Sequence, residues 1–281
     1  MPEPPLGFPR NRAGEPPDGS PFPREYAHPR KGHVAPTRST GWAGDGRSVL
    51  SAHNDAAVAH WVDGRDTVAL ESLEENAAAC TRWLGPHDPD TLIAVGNLAV
   101  AYLTFERWSD GLPMLSVNLA ARERVLGPEH PATLAARDAL ATAHRLTGQL
   151  AEALVLSERV TAQRMQLLGP AHPDTLASRL GHAITRADGG DPAAAVEHLT
   201  SAMIDSERTH GPLYDLTIVI RAHLAWCLAE LGELDAAAGT AALAAAAAEQ
   251  SYGAQHPETV ALHEDATHFA AVRHPRAAPT S

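Results

Sequence analysis

The residues best able to do chemistry in this 281-residue chain are its 16 histidines, two cysteines and 34 carboxylates. The segment His263-Glu264-Asp265-Ala266-Thr267-His268 gathers two imidazoles and two carboxylates within one short stretch, the residue types of a zinc-hydrolase helix. Its spacing is wrong for that chemistry. Two ligands on one helical face stand at i and i+4, and a fifth step turns His268 away from His263. The segment therefore reads as a polar helix at the end of the chain. No GxxxxGK[ST] phosphate loop, GxSxG nucleophile turn, CxxC pair or GxGxxG dinucleotide turn occurs. Cys80 and Cys227 are far apart in sequence and read as small buried hydrophobes. The sequence thus yields no catalytic residue, no cofactor-binding residue and no metal ligand set. A hydrolase or metalloenzyme is the least favoured reading, and the expectation is a protein that is not an enzyme.

Three further histidines, His130, His172 and His256, precede prolines in one recurring phrase. It reads LGPHDPDTL from Leu84, LGPEHPATL from Leu126 and LGPAHPDTL from Leu168, an interval of 42 residues. Worn copies keep the step as HGPLYDLTI from His210 and YGAQHPETV from Tyr252. Histidines one repeat apart cannot converge on a single ion, whose ligands must lie about 2.0–2.3 Å from it. They are expected to be turn and helix-start residues.

The elements that carry these residues follow from the interval, because a period of roughly 20 to 50 residues marks stacked helical or blade repeats. Each unit divides into a helix A, a break and a helix B that ends in the next Leu-Gly-Pro phrase. In the clearest unit helix A is expected over about 131–147, the break at Gly148-Gln149 and helix B over about 150–167. Proline at the start and glycine at the end suit the two helix termini. Two alignment columns are always small: Ala57, Ala99, Ala141, Ala183 and Ala225 in helix A, and Ala69, Gly111, Ala153, Ala195 and Ala237 in helix B. They are expected where helix backbones approach one another. The break column reads Gly64, Glu106, Gly148, Gly190 and Gly232.

Residues 1–46 hold ten of the 22 prolines and few aliphatic side chains, so they are expected to form a disordered arm. The array proper is expected over 47–273, with units at about 48–83, 84–125, 126–167, 168–209 and 210–251, a partial unit over 252–273, and a disordered tail over 274–281. The net charge of −12 argues against nucleic acid as partner, since phosphate binding needs clustered Lys and Arg. The chain has no basic and apolar leader after Met1 and no apolar run long enough for a membrane span. With no disulfide framework, a cytoplasmic location is expected. A single lysine and abundant alanine point to a GC-rich, bacterial genome.

The run LGPEHPATLAARDALATAHRLTGQLAEALVLSERV, from Leu126, resembles the tetratricopeptide repeat in the long form found in kinesin light chains and many bacterial repeat proteins. That resemblance covers roughly residues 48–273. It implies an all-α, right-handed superhelical solenoid of antiparallel helix pairs, whose A helices line a concave groove. It also implies a protein or peptide partner held in that groove, so that the chain would serve as an adaptor. The family register puts Asn54, Asp55, Ile93, Asn97, Val100, Leu103, Asp138, Thr142, Arg145, Ile184, His223, Trp226 and Glu230 on the groove side. Asn97, in GNLAVAY, matches the family's NLAxxY, where an amide can hold a ligand backbone, and Trp226 is the aromatic anchor candidate. The body lacks the lysines of a carboxylate clamp, so a partner with apolar and modestly basic character is expected. A second reading is a regulatory sensor acting in trans on a signalling ATPase or transcriptional regulator. Partner identity and oligomeric state are left open.

Overall fold

The computed structural model describes residues 45–62 and 65–273. The proline-rich arm before Asp45, Gly64 and the tail after Arg273 lie outside the described residues. Within them the chain is all helix: α1 (Asp45–Val62), α2 (Asp66–Leu84), α3 (Pro89–Thr104), α4 (Trp108–Val125), α5 (Pro131–Leu146), α6 (Leu150–Leu168), α7 (Pro173–Asp188), α8 (Pro192–His210), α9 (Asp215–Glu230), α10 (Leu234–Tyr252) and α11 (Pro257–Arg273). Odd-numbered helices are the A helices and even-numbered ones the B helices. The architecture is an array of antiparallel helix pairs, described here as two compact units, one ending at Gln163 and the other beginning at Arg164.

Both small-residue columns are buried. Ala57, Ala99 and Ala183 are 0% exposed in helix A, as are Ala69, Ala153, Ala195 and Ala237 in helix B. The B-helix column has glycine in one unit for a local reason. A Cβ at Gly111 would lie 2.8 Å from Leu103 Cγ and 2.9 Å from the Ala99 carbonyl. Leu103 takes the space that a methyl group occupies in the other units.

The phrase between units does three jobs. Its glycine leaves the preceding helix with a backbone closed to side-chain residues: Gly85, Gly211 and Gly253 have φ near 90° and ψ of 157–169°. The residue before proline then caps the next helix. Asp88 Oδ1 accepts from the Asp90 amide, and His130, His172 and His256 accept through Nδ1 from the amides of Ala132, Asp174 and Glu258 at 3.2–3.3 Å. Proline follows at the first helical position, where its missing N–H costs nothing.

A third complete column, not singled out by the sequence reading, lies two residues beyond that proline. Thr91, Thr133, Thr175, Thr217 and Thr259 are all at most 1% exposed. Thr91 and Thr175 donate to the carbonyls of Cys80 and Arg164, near the end of the preceding B helix, and Thr217 donates to Gly211.

Candidate functional site

The polar residues that hold the A helices in place must be separated from those left free to meet a partner. In the A helices the basic column Arg137, Arg179, Arg221 and His263 belongs to the first class. Arg137 and Arg221 pair with Glu123 and Glu207 on the preceding B helix at 2.6 and 2.9 Å. Arg179 pairs with Asp205 on the following one at 2.8 Å. Each guanidinium also donates to the proline carbonyl of its own phrase, Pro128, Pro170 or Pro212. His263, the residue that looked most like a zinc ligand, is the last member: its Nε2 lies 3.3 Å from Glu249 Oε2, at the same separation along the chain as Arg137 from Glu123.

A second set of arginines sits on the B helices. Arg122 donates to the carbonyls of Leu92 and Ala132, and Arg164 to that of Asp174, so first-turn carbonyls of neighbouring A helices serve as acceptors. Burial holds the Arg122 guanidinium down at about 10. Gly96 is glycine because a Cβ there would stand 2.1 Å from Arg122 Nη2.

The residues expected on the groove fall into two groups in each unit. In the unit before Arg164, Asn54 and Asn97 are both 4% exposed, and Asn97 Nδ2 donates to Asn54 Oδ1 at 3.0 Å. The Asn97 amide therefore spends a donor on the adjacent A helix. Leu103 and Arg145 are buried as well, at 8% and 6%. Asp55 is exposed, whereas Ile93, Val100, Asp138 and Thr142 keep part of their surface. At the break after α3, Tyr102 donates to Glu74 at 2.8 Å and Arg107 lies 4.2 Å over its ring.

In the unit after Gln163, Ile184, His223 and Trp226 are buried, His223 completely. Trp226 meets Phe269 edge-on at 5.0 Å and its Nε1 donates to Asp265 at 3.3 Å. Glu230 follows one turn later on the same face and stays partly exposed. It has no hydrogen bond or ion pair among the described residues. Burial first, and then the charge of Asp188, raise its carboxyl to about 7. Asp188 occupies the same repeat position on α7 as Glu230 does on α9. Neighbouring Cys227 is buried and its thiol pushed up to about 12, again chiefly by burial.

An acidic group of a different kind closes the start of the array. Arg47 of α1 reaches Asp88 at 2.6 Å and Asp90 at 2.7 Å. Burial and Asp88 raise Asp90 to about 6 despite that cation. This cluster is internally satisfied and joins α1 to the start of α3.

The alignment at the 42-residue interval already held the signal for the basic column and the threonine column. What it could not show was that Asn54, Asn97 and Trp226 turn polar atoms toward neighbouring helices.

A family model described as "Tetratricopeptide repeat" matches residues 91–132 and 133–174 in tandem. The curated proteins contain no match. Among solved structures, the chain is similar to nearly identical TPR-like repeats from Podosopora anserina, of a protein assigned as a kinesin light chain. In a form carrying one substitution these are 25% identical with a TM-score of 0.65, covering 74% of this chain and 99% of that one. A second structure of those repeats gives 24% identity and a TM-score of 0.59 over 84% and 100% of the two chains. A thermophilic TPR protein of Thermus thermophilus shares the fold at 20% identity, with a TM-score of 0.54 over 79% and 98%. Residues 91–174 thus carry two tandem matches to the tetratricopeptide repeat, and helix pairs continue the same interval on both sides of them, as expected of a protein of that family.

Proposed function

We propose that the chain is a protein-interaction module that holds a partner segment against the accessible edges of its A helices. Tandem repeats of this family and repeat-built neighbours support an interaction scaffold. The finer reading rests on one observation: Glu230 is a partly buried carboxylate with no cation or donor from the described residues, one turn beyond Trp226 and in the same repeat position as Asp188. Withdrawing a carboxylate from water without a partner is unfavourable, and a cationic side chain from outside would relieve it. Leu231, next to Glu230 in the chain, is 40% exposed, so the segment that fits presents a basic residue next to an aliphatic or aromatic one. The rigid helices give up little entropy on binding.

Selection from a displayed random-peptide library on immobilised protein tests this reading. Enriched peptides should pair Arg or Lys with an apolar neighbour, and Glu230→Arg should abolish their retention while Glu152→Arg, on the exposed face of α6, leaves it unchanged. Peptides without basic residues, or retention indifferent to Glu230→Arg, would sink the proposal. Asp55, Val100 and Asp138 form the corresponding accessible set in the other unit. Replacing Asp138 by Arg tests that unit separately.

A further inference from the structure

We propose that the helix caps of the repeat phrase make the array proton-sensitive: three A helices are capped by imidazoles that can do so only when neutral. The geometry is repeated. His130, His172 and His256 each present Nδ1 to the backbone amide two residues on, at 3.2, 3.2 and 3.3 Å. The backbone at the first two is nearly superimposable, with φ of −62° and ψ of 137° or 140°. An Nδ1 that accepts a hydrogen bond carries no proton, which places the hydrogen on Nε2. Protonation puts a hydrogen on Nδ1, turning the acceptor into a donor aimed at another donor. It also sets a positive charge on the positive end of the helix dipole. Both effects act in the same direction.

The surroundings do little to oppose this. None of the three imidazoles forms an ion pair among the described residues. Around the α5 cap stand Glu129 and Arg137, the latter bonded to the Pro128 carbonyl. Around the α7 cap are Asp174, Arg179 on the Pro170 carbonyl, and His210, whose Nε2 is 2.7 Å from the Ala171 carbonyl. At the α11 cap are Glu258 and Tyr252, whose ring lies 5.1 Å from that of His256. The first unit provides a built-in contrast. There Asp88 occupies the cap, and a carboxylate keeps accepting at pH values where an imidazole has ceased to. Acidification therefore loosens α5, α7 and α11 while the Asp88 cap of α3 holds.

The test compares the full chain with the triple variant His130→Asn, His172→Asn and His256→Asn, since an asparagine oxygen caps helices without titrating. Melting is followed by circular dichroism at pH 7.5 and pH 5.0. The wild type should lose about 6–12 °C more than the variant on acidification, the loss expected for three caps in an array of this size. Equal losses overturn the proposal. Asp90 and Glu230 titrate with the opposite sign and are present in both proteins, so they cancel from the comparison. Should the triple variant not fold, each single variant must remove part of the acid loss. Nitrogen-15 spectra of wild-type histidine side chains at pH 7.5 give an independent check: three imidazoles protonated at Nδ1 instead of Nε2 would overturn the capping geometry outright.

Discussion

Replacing Glu230 by glutamine keeps the shape of the side chain and removes its charge. The carboxyl titrates near 7 in the folded chain against an ordinary value of 4.5, with burial the larger cause and Asp188 the smaller. A raised carboxyl favours the protonated form in the fold. Its stabilising contribution is therefore complete below about 4.5 and is lost as pH rises through about 7. A shift of that size in a fully shielded site would correspond to about 3 kcal/mol. Glu230 retains contact with water, which screens the charge, so about 1–2 kcal/mol is the working figure. In an array of this size that becomes a gain of roughly 2–8 °C in melting temperature for Glu230→Gln at pH 8. The gain should fade toward zero by pH 5. Thermal melts of both proteins across that range supply the difference curve. Asp188→Asn should reproduce only the smaller share, because it leaves the burial unchanged. A Glu230→Gln variant less stable at pH 8, or a difference independent of pH, would refute the reasoning and imply that a cation within the chain already serves this carboxylate.

Other substitutions address the fold that carries the site. Glu106 has φ of 60°, in a column that is otherwise glycine at φ of 77–84° in the described units, so Glu106→Gly should raise stability by about 0.5–1 kcal/mol in a denaturant titration. Gly211→Ala forces a side chain into φ 90° and ψ 169° and should cost about 1–3 kcal/mol by the same measurement. Gly96→Ala drives a methyl group into the Arg122 guanidinium, with an overpacking loss of about 1–3 kcal/mol and a lower melting temperature. Gly111→Ala should be similarly harmful alone, and Leu103→Ala should relieve much of that loss by clearing the space the new methyl group requires; strictly additive effects would contradict the contact.

The fold was legible because its evidence is periodic. The phrase fixed where helices stop and start: α5 and α6 run Pro131–Leu146 and Leu150–Leu168, against expected spans of 131–147 and 150–167. Small residues at matching positions announced the close helix contacts, and all the described members are buried. Side-chain pairing was less legible, since it depends on which neighbour is within reach. Asn97 carries a motif that suggests a ligand, yet its amide donates to Asn54 on the preceding A helix. Trp226 reads as an anchor, yet most of its ring is covered by Phe269 and other core residues. Glu230 attracts attention only once its lack of a partner among the described residues is visible, a property no single-sequence pattern encodes. His263 shows the converse. Its sequence neighbourhood suggested chemistry, and its place in the arginine column explains it as a packing residue.

The phrase between units also bears on how such a chain can change length. Each copy ends one helix with a glycine whose backbone excludes other residues; four of the five cap the next helix with a side chain from within the same few residues, and in three a buried threonine donates to a carbonyl of the segment before it. Where these hydrogen bonds form, they close within the junction and the helix end before it. Insertion or deletion of one whole 42-residue block joins two junctions of the same register and keeps each existing cap with its helix. Any other length would strand a cap from its helix. Growth by whole units, with variation confined to accessible positions such as 138 and 230, is the route to a new partner that this architecture leaves open.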